Sequence, residues 1–168
     1  SRSAGKLTVY EIVLLGMLGG LLVAAQLALA WLPNIEIVSL LLIVYTRVWG
    51  VKSLFPLYVF VLCEGLIFGF GIWWFCYLYV WLVPVLLTLV FKKFGSTIFW
   101  AAFCALFGLF FGALCSVTYL FIGGISAMAA FFISGIPFDL LHCAGNAATG
   151  FLILPLTSLL MKIKKRPA

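Results

Sequence analysis

Charged residues are scarce in this chain of 168 residues, where only 8% are Asp, Glu, Lys or Arg and 67% are hydrophobic. A soluble domain of this length cannot bury so much apolar surface, so the composition indicates an integral membrane protein with several spans. The net charge of +6 does not indicate nucleic-acid binding, because the basic residues are spread over four segments that can meet anionic lipid headgroups.

The motifs of several enzyme classes are also missing. The chain has no G-x-x-x-x-G-K-[ST] phosphate loop, no G-x-S-x-G and no H-E-x-x-H. We therefore expect no catalytic residues, no cofactor and no ATP hydrolysis by this chain alone. The chain has one histidine and four acidic residues, which are few possible metal ligands, so we expect no metal site. The five cysteines lie in apolar stretches without a C-x-x-C pair, which predicts small buried hydrophobic residues rather than a disulfide framework or a zinc site.

The ten basic residues fall in four clusters, and each interval between clusters is long enough for two membrane crossings. Basic residues stay on the cytoplasmic side of a bilayer. The clusters therefore predict an all-α bundle of six transmembrane helices with both termini cytoplasmic, forming a single domain over residues 1–168. The basic residues are Arg2, Lys6, Arg47, Lys52, Lys92, Lys93, Lys162, Lys164, Lys165 and Arg166.

The stretch from Leu120 to Ile136 differs from the rest of the chain. It contains Gly123-Gly124 and Ser134-Gly135, and the apolar piece between these pairs is too short to cross a membrane. We interpret it as the fifth, outer loop, which carries a short interfacial or re-entrant helix. The last span is then expected to begin at Pro137, a residue suited to a first helical turn.

Three of the four acids are predicted to lie on the outer side or in the outer half of the membrane. They are Glu36, Glu64 and Asp139. Ionisable groups at this depth are costly and usually face a polar cavity or a partner. Asp139, His142 and Asn146 are three and four residues apart, which puts them on one helical face. Packing, ligand contact and a proton relay all remain open for this group.

Aromatic residues concentrate at the same predicted outer edge, with six between Trp73 and Trp81. An interfacial aromatic belt explains some of them, and stacking on a flat ligand is the alternative. The first outer loop, from Trp31 through Asn34 to Glu36, is either a lid over a pocket or a plain turn.

A stripe of small residues runs along the first span at Gly16, Gly20, Ala24 and Ala28, each four residues apart. Such a stripe lets another helix backbone approach closely. The other helix belongs either to the same bundle or to a partner membrane protein.

Together these features resemble the S component of an energy-coupling factor transporter, and the resemblance covers essentially the whole chain. The segments that carry it are 32–40, 58–74 with Glu64-Gly65, 107–115, and 135–142 followed by Asn146. The Ala-x-x-x-Ala coupling motif of that family corresponds to Gly16 and Gly20 here, with Gly in place of Ala at both positions.

The resemblance implies a vitamin-binding subunit in a bacterial plasma membrane. Such a subunit captures its ligand outside and acts with a transmembrane coupling protein and two ATP-binding-cassette ATPases. Partner docking would fall to Gly16, Gly20 and Ala24. The implied substrate-binding residues are Trp31, Asn34, Glu36, Glu64, Trp73, Trp74, Tyr77, Asp139, His142 and Asn146.

The absence of Lys and Arg near these residues favours a neutral or cationic ring-containing ligand over an anion. Thiamine, hydroxymethylpyrimidine, pyridoxine, an aminomethyl-deazaguanine and cobalamin all remain open. Two other classes of protein also remain open. One is a self-contained proton-coupled transporter, and the other is a membrane scaffold or enzyme subunit without a small-molecule site.

Overall fold

All the regular structure found between residues 7 and 165, the part of the chain that the computed structural model describes, is helical. Arg2 and Lys6, on which the assignment of the N-terminus depends, lie outside these residues, as does Arg166 of the C-terminal basic cluster. A short 3-10 turn, Gly50–Ser53, joins the second helix to the third. The α-helices are α1 (Val9–Leu29), α2 (Val38–Trp49), α3 (Leu54–Phe68), α4 (Ile72–Val80), α5 (Leu82–Phe91), α6 (Thr97–Gly150) and α7 (Ile153–Lys165).

Four helical stretches are long and apolar enough to cross a membrane. They are Val9–Leu29, Val38–Phe68, Ile72–Phe91 and Thr97–Gly150. Large apolar side chains cover their outer faces, as shown by Met17, which is 69% exposed. A protein exposes such a surface when its solvent is lipid, so the chain is a multi-pass membrane protein.

Helix α1 begins with a capping box, in which the Thr8 hydroxyl accepts the Glu11 N–H and the Glu11 carboxylate accepts the Thr8 N–H. Its packing partner is α3. At Gly19, a Cβ atom would come within 2.7 Å of the Val59 side chain and 3.1 Å of the Pro56 carbonyl oxygen. The absence of a side chain at Gly19 therefore sets how closely these two helices approach.

Helix α6 is two antiparallel arms, residues 97–122 and 125–150, joined by non-helical backbone at Gly123 and Gly124. Gly124 has φ +68°, a value open to glycine at little cost, and this lets the chain reverse. Near the reversal, the rings of Tyr119 and Phe131 stack with centroids 4.1 Å apart. At the far end, a Cβ atom at Gly150 would lie 2.6 Å from the Ala101 Cα atom, so the arms also touch there.

The expectation of a separate short interfacial helix in the fifth loop is wrong in this structure. Residues 125–150 form one continuous helical arm, and Pro137 lies inside it rather than at its start. Ser134 and Gly135, which we interpreted as loop residues, are helical. The glycine pair at 123–124 supplies the whole reversal, so no second break is needed.

One end of the bundle gathers basic residues from three parts of the chain, and we call it the basic end. Lys52 Nζ forms an ion pair with Glu11 Oε1 at 2.5 Å, which connects the start of α1 to the α2–α3 turn. Arg47 donates a hydrogen bond to the Phe94 carbonyl oxygen at 3.3 Å. At the same end, Lys164 donates one to the Val48 carbonyl oxygen at 2.8 Å. The α1 start, the α2–α3 turn, the α5–α6 connection and α7 therefore meet at this end.

Two of the five cysteines do not fit the expectation of free, buried residues. Cys76 of α4 and Cys115 of the first α6 arm form a disulfide, although 39 positions separate them in sequence. Cys63, Cys104 and Cys143 are free. The antiparallel packing of α4 on α6 creates this pairing, which no sequence spacing indicated.

We predict that Gly19→Ala lowers the free energy of unfolding in detergent by about 1–3 kcal/mol, because its Cβ overpacks the α1–α3 contact. Gly20→Ala is the matched control, since no atom lies within 4 Å of a Cβ built at Gly20. Better helix propensity should make the control neutral or stabilising by up to about 1 kcal/mol. Equal unfolding curves for the two variants would contradict this account of the α1–α3 interface.

Candidate functional site

The short length of α2 creates the site. Its 12 residues span about 18 Å, whereas crossing a bilayer core takes about 20 residues. The connection 30–37 therefore enters the bundle instead of staying at its surface, and Glu36 within it is only 7% exposed. Asn34, the only non-glycine residue with positive φ in the described chain, turns this connection at φ +54°.

Glu36 is the centre of a buried polar network. Its carboxylate accepts hydrogen bonds from the Ser39 N–H at 2.8 Å and from the Ser39 hydroxyl at 2.5 Å, near the start of α2. His142 Nε2, on the second α6 arm, lies 3.0 Å from Glu36 Oε1. Asn146 donates its amide hydrogen to the Ser39 hydroxyl at 3.3 Å. The network therefore connects α2 to α6 through side chains that are almost completely buried.

The surroundings of Glu36 favour its charged form. Burial alone would raise the pKa of this carboxyl, but the hydrogen bond and charge of His142 and the two bonds from Ser39 outweigh burial. The net result is a pKa below the usual value. Glu36 therefore lies in the protein as a carboxylate whose acceptor capacity is largely used by His142 and Ser39.

Two adjoining cavities open beside this network and share Asn34, Tyr77 and Phe111 on their walls. We call them the inner cavity, of ≈ 290 Å³, and the aromatic cavity, of ≈ 350 Å³. The inner cavity is lined by Gln26, Leu29, Ala30, Leu32, Pro33, Asn34, Ile35, Glu36, Tyr77, Trp81, Phe111 and His142. The aromatic cavity is lined by Asn34, Trp73, Cys76, Tyr77, Phe111, Gly112, Cys115, Tyr119, Phe131, Ser134, Gly135, Phe138 and Asp139.

A row of rings runs from one cavity to the other through Tyr77, which lines both. Trp73, Tyr77 and Trp81 follow one another at four-residue intervals, with ring centroids 5.1 and 5.6 Å apart and nearly perpendicular planes. Trp81 contacts Phe111 at 5.4 Å, and Phe111 contacts the His142 ring at 4.9 Å. Edge-to-face contacts of this kind hold rings rigidly, which suits a preformed binding wall.

Several buried polar atoms at the site have no hydrogen-bond partner in the described structure. Asp139 is 4% exposed and leaves Oδ2 unpaired, and His142 is 3% exposed and leaves Nδ1 unpaired. Away from the cavities, Asn146 Oδ1 and Glu64 Oε1 are also unpaired. Buried polar groups are nearly always satisfied in proteins, so unpaired groups on the cavity-lining residues Asp139 and His142 indicate hydrogen-bonding capacity that a ligand could use.

Six of the ten residues predicted to bind substrate line the two cavities: Asn34, Glu36, Trp73, Tyr77, Asp139 and His142. The other four lie outside them. Asn146 is buried behind the wall in the Ser39 contact, and Glu64 is buried on α3. Trp74 points to α3, where its indole N–H donates to the Val61 carbonyl oxygen, and Trp31 is 77% exposed.

The sequence also held signals for cavity residues that we did not predict. Gln26 is the chain's one glutamine and interrupts an otherwise apolar span, which marks it as a polar wall residue. Trp81 continues the four-residue spacing of Trp73 and Tyr77. Nothing in the local sequence distinguished Phe111 from the many phenylalanines near it.

The comparisons with known proteins add no identification. No family model, no curated protein and no solved structure matches this chain. Within the described residues, no group of three His, Cys, Asp or Glu side chains is arranged to hold a metal ion. The arrangement can bind a small molecule with aromatic surface and hydrogen-bonding groups, and this capacity is the basis for assigning a function.

We predict that Glu36→Ala and His142→Ala each lower the free energy of unfolding by about 3–5 kcal/mol, because each leaves its buried partner uncompensated. The double variant should lose less than the sum of the single losses, since the two side chains interact directly. Chemical unfolding in detergent, followed by circular dichroism, measures all four proteins. Additive losses would mean that the 3.0 Å contact contributes nothing to stability.

Proposed function

We propose that this chain is the substrate-binding S component of an energy-coupling factor importer for a vitamin or related micronutrient. The observation that carries the proposal is the pair of adjoining cavities with a rigid aromatic wall and unpaired atoms on Asp139 and His142. A wall of this kind favours a ring-containing ligand. Most of the predicted substrate-binding residues belong to it, and the remaining four act from the layer behind it or from the rim.

The topology that we propose has six crossings, both termini in the cytoplasm and the cavities open to the outside. The two antiparallel arms of α6 support the crossing count, because each is longer than the ~20 residues that one span needs. The meeting of Arg47, Lys52 and Lys164 at the basic end supports a common cytoplasmic side. We propose the bacterial plasma membrane as its location, as the resemblance to S components implies.

Energy for import is proposed to come from partner proteins, since the sequence contains no phosphate-binding loop. The partners are a transmembrane coupling protein and two ATP-binding-cassette ATPases. Their docking surface is the outward face of α1 at Gly16, Gly20 and Ala24. In support, a Cβ at Gly16 or Gly20 would have no atom within 4 Å, and Ala24 is exposed.

A proton-coupled transporter that acts alone is the second candidate, and Glu64 is the observation that favours it. This carboxyl is 2% exposed, lies outside both cavities and leaves Oε1 unpaired. A buried carboxyl of this kind can bind and release a proton. Uptake by the isolated chain in response to a pH gradient distinguishes this candidate from the S component.

We predict that the purified chain binds a B-vitamin ligand with submicromolar affinity, measured by quenching of tryptophan fluorescence, because Trp73 and Trp81 line the cavities. In proteoliposomes, the ligand should accumulate only when the coupling protein and ATPases are added with ATP. Accumulation by the chain alone would reject the S-component proposal in favour of the secondary transporter. If no B vitamin binds, the result would favour the third class, a membrane scaffold without a small-molecule site.

We predict that Gly16→Leu combined with Gly20→Leu abolishes ATP-dependent transport and leaves ligand affinity unchanged. The reason is that two leucines cover the face needed for a close helix–helix approach while touching nothing inside the bundle. Ala144→Leu combined with Ala148→Leu is a matched control, with two exposed small residues four positions apart on α6. Normal transport by the Gly16/Gly20 variant, or loss of its ligand binding, would remove this face as the docking surface.

A further inference from the structure

The carboxyl group of Asp139 has no ion-pair partner in the described part of the chain. The two ion pairs found there are Lys52 with Glu11 and His142 with Glu36. Asp139 is nevertheless 4% exposed, and its Oδ2 atom accepts no hydrogen bond. A buried carboxyl group is costly to ionise without a counter-ion, so a ligand that brings a positive charge to this cavity wall would stabilise its charged form.

Gly112 fixes the direction of this carboxylate. Its backbone N–H donates to Asp139 Oδ1 at 3.0 Å, although Gly112 lies inside a helix. A Cβ atom at position 112 would overlap the carboxylate. The missing side chain therefore makes the space in which the Asp139 carboxylate lies, with Oδ1 bonded to the backbone and Oδ2 packed over Gly112 without a hydrogen-bond donor.

Glu36 cannot serve as the same kind of counter-ion, because His142 and Ser39 already occupy its carboxylate. The acid that remains unpaired on the two walls is Asp139, in the aromatic cavity. No Lys or Arg lines either cavity among the described residues. An anionic ligand would thus meet the unpaired carboxyl group of Asp139 and no Lys or Arg, while His142 is already bound to Glu36.

The rings around Asp139 favour a cation as well. Trp73, Tyr77 and Phe111 line the same cavity, and Phe131 and Phe138 belong to the helical arm that carries Asp139. Aromatic faces attract cations, most strongly where water is excluded. The inner cavity has different chemistry, since Gln26 and Asn34 offer uncharged amides to the remainder of a ligand.

We propose that the ligand is an organic monocation, a substituted ammonium or a charged nitrogen heterocycle, whose positive nitrogen lies beside the Asp139 carboxylate in the aromatic cavity. Its uncharged polar part lies in the inner cavity, near Gln26, Asn34 and His142 Nδ1. This inference rests on the proposed function and narrows the ligand class from neutral or cationic to cationic.

The test measures tryptophan quenching at pH 7 with four probes: the monocations thiamine and benzyltrimethylammonium, the neutral pyridoxine and the anionic pantothenate. We expect at least one monocation to bind and the anion not to bind. Asp139→Asn keeps the shape of the side chain and removes its charge. It should weaken binding of the monocation by about 10- to 100-fold, the ratio expected when a hydrogen bond to a charged group is lost.

Glu11→Gln is the matched control, because it makes the same carboxylate-to-amide change at the basic end and should leave affinity unchanged. Gly112→Ala is the second variant, in case Asp139→Asn does not fold. It keeps the charge but displaces the carboxylate, and it should weaken cation binding likewise.

Equal affinity of wild type and Asp139→Asn for the monocation would overturn the proposal. Binding of pyridoxine or pantothenate alone would also overturn the proposal of a cationic ligand. That result would leave the S-component function intact. Failure of all four probes at millimolar concentration counts against this inference and the proposed function together.

Discussion

The buried carboxylate of Glu36 is the constraint on which the rest of the site depends. A charge at this depth is tolerated only when hydrogen bonds and an opposite charge replace the water it has lost. Ser39 supplies two of those bonds from the start of α2, and His142 supplies the third from α6. These bonds hold the connection 30–37, which enters the bundle because α2 is short, against the second α6 arm.

Close packing of the two α6 arms brings the other half of the site into place. A Cβ atom at Gly108 would lie 2.8 Å from the His142 carbonyl carbon, and one at Gly112 would overlap Asp139. The arms can approach this closely because both positions lack side chains, as small residues allow at helix interfaces in membranes. The same two glycines therefore determine the backbone position of His142 and the direction of the Asp139 carboxylate. The contacts that pack the two arms together therefore also position two of the side chains that line the cavities.

Composition alone predicted the helical membrane class. A soluble domain of 168 residues cannot bury the surface of 67% apolar residues, so that surface must contact lipid. The shared face of Asp139, His142 and Asn146 was also predictable, since helical spacing depends only on position in the sequence. The partner of His142 was not, because Glu36 is 106 positions away and the contact exists only through the tertiary fold. The Cys76–Cys115 disulfide was missed for the same reason. The arm 125–150 was divided wrongly, because Ser134, Gly135 and Pro137 disfavour a helix locally and tertiary packing overrides that preference.

Helix α1 connects the two functional surfaces. At Gly19, one face of α1 packs closely against α3. A Cβ atom at Gly16 or Gly20 would have no atom within 4 Å, so the face that carries these two glycines is open. The last turns of α1, with Gln26 and Leu29, form part of the inner cavity wall and lead directly into the connection that carries Glu36. If a coupling protein docks on the open face, as proposed, its movement acts on a rigid rod whose other end borders the ligand. Under this proposal, displacement of α1 would open one wall of the inner cavity, and no signal through the core would be needed.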